Sequence, residues 1–183
     1  MNIDTSRART RFVVAGTVLI LFSAAGFDGS GVSSVKAKKA WAAYTQAERQ
    51  YQEESADFLA ARQTDLKELI FLNRNLQLAL IERRSLEFQY LLVEHPERIV
   101  TNRRISRFAN YDWTDEDAQA LRRTNPAYVA AIDHLKDLKE RSDRDSRWPA
   151  LRAASQALAK EPDYQEIDHR FKQRTETAGR LLK

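Results

Sequence analysis

Apolar and polar positions divide the chain into three stretches. Residues 12–22, FVVAGTVLILF, form an unbroken apolar run close to the N-terminus. Residues 35–94 mix apolar and charged positions at helical spacing and contain neither glycine nor proline. Beyond His95 the apolar stretches become short and are set apart by Pro96, Pro126, Pro149 and Pro162.

Nothing local stops a helix across 35–94. The pattern therefore predicts one very long, coiled-coil-like helix of about 60 residues, about 90 Å at the helical rise. Its two halves differ. In the first, Tyr44, Tyr51 and Phe58 recur every seventh position, a narrow stripe beside Trp41. In the second, Leu66, Leu69, Ile70, Leu72, Leu76, Leu80 and Ile81, then Leu86, Phe88, Leu91 and Leu92, make a broad apolar arc, as expected where a helix meets more than one partner. The expectation is a thinly packed stalk leading into a distal bundle. The stripe then serves either self-association or packing against the chain's own later helices.

The prolines mark restarts for several short helices over about 96–182, because proline is tolerated at a first helical turn. One helix is predicted from Pro96 to about residue 108. Thr114 is a predicted N-cap, with Asp115, Glu116 and Asp117 complementing the positive helix end. Asn125 caps a helix at Pro126, and a polar turn, SDRDSRW, precedes Pro149. In the last helix Tyr164, Ile167, Phe171, Ala178 and Leu181 share a face suited to lying back along the long helix. NPAYVAAIDHL and EPDYQEIDHRF echo one another weakly, without the aligned positions of a true repeat.

The first stretch sets the compartment. Arg7, Arg9 and Arg11 precede the apolar run, and Ser23, Ala24, Ala25 and Gly26 follow it, which is the layout of a secretory signal cleaved before Gly26. Counted instead as 12–27, the segment spans about 24 Å as a helix, short of a bilayer core of about 30 Å. That shortfall tilts the reading towards cleavage, although bilayer thinning and snorkelling by Arg11 would let a retained anchor fit. Residues 1–27 are thus a signal peptide or membrane anchor, 28–34 a Gly/Ser linker, and 35–183 a helical domain outside the cytoplasm. The location expected is the periplasm or exported cell envelope, at the inner membrane if the leader stays. Membrane contact would then run through residues 12–27.

Composition narrows the class. All five glycines lie at positions 16, 26, 29, 31 and 179, so 32–178 has none for hairpins or phosphate-cradling loops. With 31% charged residues of both signs interleaved, this predicts an all-α fold with solvated helix faces. The absence of cysteine excludes disulfides and a lipid-modified N-terminal cysteine. Net charge is +4, a mild excess that predicts no large electrostatic field, and no nucleic-acid partner is expected.

Candidate chemistry is sparse. His95, His134 and His169 include no pair at a spacing that puts two ligands on one helix face. A metal sensor or enzyme using them is the least favoured reading, and no catalytic residue, metal or cofactor is expected. Most carboxylates stand near arginine or lysine at helix-pair spacing; Glu82 and Glu87, beside Arg83 and Arg84, read as solvated ion pairs. The best candidate binding surface is 96–113, where Arg98, Arg103, Arg104 and Arg107 run into Phe108, Tyr111 and Trp113. Arginine interleaved with aromatics suits planar anions and interface anchors. Outside the cytoplasm the matching partners are an envelope protein, anionic lipid or glycan. The expected role is a non-enzymatic envelope interaction or scaffold protein; the alternative is a soluble periplasmic chaperone-like or ligand-binding bundle.

Overall fold

A computed structural model of the protein describes residues 34–100 and 110–182. The predicted leader and linker, residues 1–33, lie outside this range, as do Arg103, Arg104, Arg107 and Phe108. The described chain is all-helical, with six α-helices and one two-residue antiparallel ladder.

The single long helix is not formed. It is two helices, α1 (Ser34–Arg62) and α2 (Lys67–Glu94), joined by a 3-10 turn at Thr64–Leu66. Gln63 leaves the helical region, with φ −130° and ψ 66°. Thr64 and Asp65 are mediocre helix formers, each costing up to about 0.7 kcal/mol relative to alanine. That local signal is small. The larger effect is burial: Leu69, Phe88 and Leu91 are completely buried when the chain folds back, and each large side chain removed from water contributes about 1.5–3 kcal/mol. A straight helix would leave much of this surface wet.

The two helices run antiparallel. Trp41 stacks on Phe88 at one end of the pair, and Glu48 reaches Arg84 one to two turns further in. The proposed stalk is therefore part of the bundle itself. The last helix, α6 (Pro162–Arg180), lies back along α1, also antiparallel. Arg62 bonds Glu161 and Asp163 at one end, Phe58 meets Tyr164, Tyr51 meets Phe171, and at the other Leu182 joins the Trp41 cluster while Leu181, expected on this face, is exposed. Tyr51 and Phe58, two members of the heptad stripe, thus pack within the chain.

The remaining helices are α3 (Asp115–Thr124), α4 (Pro126–Asp143) and α5 (Trp148–Leu158). α4 packs along α2, with Leu138 against Leu76 and Ala79. α5 closes the end at the turn, where Leu151 and Leu158 join Phe58, Leu59, Leu69, Ile70 and Tyr164. The expected caps form: Thr114 and Asp117 make a reciprocal capping box, and Asn125 accepts from the Tyr128 N–H at 3.1 Å.

The helix predicted from Pro96 to about residue 108 is corrected. Pro96–Arg98 is a single 3-10 turn, and Ile99–Val100 then extends as β1 to pair with β2, Asn110–Tyr111. Ile99 faces Tyr111 in this ladder. β-branched Ile99 and Val100 favour extended backbone over helix.

Candidate interaction site

The ladder brings Arg98, Tyr111 and Trp113 together against α2, α3 and α4. Arg98 is held by Asp117, with Nη1 donating to Oδ1 at 3.1 Å, and by the Asp112 carbonyl. Burial raises the Asp117 carboxyl, but hydrogen bonds from Arg98 and from the Thr114 backbone and hydroxyl outweigh it. The carboxyl is held at about 2.

Tyr111 donates to Glu87 Oε2 at 2.9 Å, and Tyr128 from α4 donates to Glu87 Oε1 at 3.2 Å. Arg83, one turn back on α2, places Nε 3.2 Å from Oε1 for charge pairing without a well-aligned hydrogen bond. Glu87 is only 4% exposed, so the solvated ion pair expected at this position is corrected to a buried carboxylate. Its neighbours explain how it stays there, since a buried charge must be paired and hydrogen-bonded. Burial, then the charge and hydrogen bond of Glu87, push the Tyr128 hydroxyl up to about 12 and raise Tyr111 as well. Both phenols therefore stay protonated and remain donors.

Trp113 completes the cluster. It sits edge-on to Tyr90, Tyr111 and Tyr128, with ring centroids 5.8, 6.4 and 6.2 Å away. Edge-to-face contacts at this range add about 0.5–1.5 kcal/mol beyond the buried area. A second polar layer lies between α1 and α2. Burial raises the Glu48 carboxyl, opposed by the charge of Arg84 and by hydrogen bonds from Tyr44 and Arg84. Arg84 also lies over the Trp41 ring, 5.8 Å from its centroid.

Of the predicted surface, the structure brings together Arg98, Tyr111 and Trp113, and turns all three towards partners within the chain. Reasoning from sequence missed Glu87, Tyr128, Arg84, Glu48 and Tyr44. The tyrosine of the NPAY segment was the one available signal: Tyr128 and Tyr164, its counterpart in the echo, are both buried with hydroxyls aimed at a polar partner. The histidines stand on different elements. His95 caps α2 and lies 3.6 Å from Glu97, whereas His134 on α4 and His169 on α6 are exposed. Among the described residues no group of three or more His, Cys, Asp or Glu is placed to hold a metal ion.

On the outer face of the α1–α2 pair a shallow groove of about 240 Å³ opens over Trp41 and Phe88. Lys38 and Arg49 stand on its α1 side and Leu92 on its α2 side. Among the described residues no helix is long and apolar enough to cross a membrane.

These features define an all-α bundle stapled by buried carboxylate–tyrosine–arginine clusters. Compared with known proteins, the chain matches no family model, no curated protein and no solved structure.

Proposed function

We propose that the protein is a non-enzymatic helical interaction protein of the cell envelope, held at or released from the inner membrane by its N-terminal segment. The observation that carries this reading is the use made of the ionisable groups. Glu87, Asp117, Glu54 and Glu48 are each tied to arginine or tyrosine from another element. A general acid or base needs a carboxyl free to exchange a proton with substrate. Here the carboxylates staple helices, which supports a rigid presenting scaffold. The β1–β2 ladder pairs Val100 with Asn110, and the arginine-containing stretch 101–109 lies between them in sequence. Arg103, Arg104 and Arg107 in this stretch are the sequence's candidates for meeting an acidic envelope partner.

The groove over Trp41 and Phe88 favours a second reading, a periplasmic binder of apolar clients. An apolar floor with cations on one side suits an apolar segment that ends in a carboxylate or phosphate.

The deciding experiment is the N-terminal sequence and intact mass of the protein recovered from fractionated cells. A full-length chain of 21.1 kDa that needs detergent supports the tethered scaffold. A chain starting near Gly26 in the soluble envelope fraction supports the released form. Full-length protein in the cytoplasmic fraction overturns both.

A further inference from the structure

The bundle has one end at which apolar side chains face water. Four large apolar residues are exposed among the described residues, and three belong to this end: Val35 at the start of α1, Val93 at the end of α2 and Leu181 just beyond α6. The antiparallel packing places them together, because Trp41, Phe88 and Leu182 share the adjoining core cluster. Val93 is 77% exposed and Val35 60%. Exposed cations stand on the same end. Lys38 and Lys39 lie on the first turns of α1 and Arg180 on the last turn of α6. The acidic groups nearby, Glu94, Glu97 and Asp112, sit at the α2 corner, where Glu97 faces His95 and both Glu97 and Asp112 act on Arg98.

The chain's route says what this end meets. Residue 34 begins α1, and residues 28–34 reach at most about 25 Å when fully extended. In sequence, the apolar segment 12–27 therefore precedes this end of the bundle within that reach.

We propose that this end of the bundle docks on the surface of an anionic lipid bilayer, with Val35, Val93 and Leu181 entering the headgroup boundary and Lys38, Lys39 and Arg180 pairing with lipid phosphates. The inference rests on the reading that residues 12–27 are retained as an anchor. Apolar side chains flanked on the α1 and α6 sides by long basic ones suit this boundary, since lysine and arginine keep their charge in the headgroups while their stems lie on the apolar layer. A tether alone leaves the bundle free to tumble; the docked end fixes its orientation and turns the opposite end, at the α1–α2 turn, away from the membrane.

The chain has no cysteine, so a single introduced thiol reports one position cleanly. Full-length V93C and L181C, spin-labelled, are reconstituted into phosphatidylcholine vesicles with or without phosphatidylglycerol, with D137C on α4 as the control. With the anionic lipid, the labels at 93 and 181 become accessible to oxygen and shielded from a water-soluble nickel chelate, while the label at 137 stays aqueous. Replacing Lys38, Lys39 and Arg180 by glutamine lowers the docked-to-undocked ratio about fivefold for each cation removed. If the chain co-floats with vesicles but 93 and 181 remain aqueous, the docking surface is overturned and the anchor stands. If the full chain does not co-float, the anchor and the docking surface both fail. Spin–spin broadening between copies at position 93, without a lipid signal, overturns the proposal in favour of a second copy of the chain.

Discussion

Trp41 and Phe88 stack with ring centroids 4.2 Å apart and planes 12° from parallel. In one continuous helix the same residues would stand about 70 Å apart. Their contact closes the α1–α2 pair at the end away from the turn, next to Ala37, Ala40 and Leu182. Phe88→Ala should cost about 3–5 kcal/mol, the range for a fully buried aromatic. A double-mutant cycle with Trp41→Ala should leave a coupling of about 0.5–1.5 kcal/mol. Urea titration of the four variants checks both figures, and strictly additive losses would show that the stacking contributes nothing of its own.

Glu87 should be the least replaceable polar residue. Glu87→Leu leaves the Tyr111 and Tyr128 hydroxyls without their acceptor and Arg83 without its counter-charge. Breaking a buried pair on one side costs about 3–5 kcal/mol. Glu87→Gln keeps one acceptor oxygen and should lose less. Tyr128→Phe alone should cost about 1.5–3 kcal/mol, the value of one hydrogen bond to a charged group. A Glu87→Leu protein as stable as the parent would remove the carboxylate from any structural role.

Asp117 predicts a specific acid limb. Its folded pKa, about 2, lies below its ordinary value of 3.8. A depressed carboxylate contributes stability that is complete above the unfolded value and is lost as pH falls through the folded one. The window is therefore about pH 4 down to about pH 2. Glu48 acts in the opposite sense: its pKa is raised, so its contribution weakens as pH rises through the folded value. Asp117→Asn separates the two. The melting-temperature gap between parent and variant should be constant near neutrality and close between about pH 4 and pH 2. A gap unchanged down to pH 2 would show that the Arg98–Asp117 pair does not set it.

Much of this was legible in the sequence where a local rule decides the outcome. Thr114 and Asn125 cap their helices because their side-chain oxygens accept from a backbone N–H three residues on. The scarcity of glycine between 32 and 178 foretold helices. The turn at Gln63 was not legible, because it has no proline or glycine and depends on Leu69 finding α1 and α5, Phe88 finding α1, and Leu76 and Ala79 finding α4. The helix expected after Pro96 failed for a related reason: Ile99 extends to meet Tyr111, a partner twelve positions away. Of the candidate surface, Arg98, Tyr111 and Trp113 lie among the described residues. These three do converge, but towards Asp117, Glu87 and Tyr128, and a list of residue types carries no information about which way they turn. Glu87 looked solvated because Arg83 stands at i−4, a spacing equally common on wet faces and at the edge of a core.

The fold-back of α1 on α2 can be measured directly. Gln46 and Gln89 line the same groove from opposite helices. In a straight helix their 43-residue separation would put them about 65 Å apart. Q46C and Q89C, introduced together into the cysteine-free chain and spin-labelled, should give an interspin distance of about 10–20 Å, since packed helix axes lie only about 8–10 Å apart. The same pair in a chain carrying Phe88→Ala should broaden towards longer distances, because the contact that closes the open end is gone. Leu69 and Ile70, buried at the turn with Leu151 and Tyr164, should hold the other end shut. A main population near 65 Å would restore the single long helix and, with it, the extended stalk.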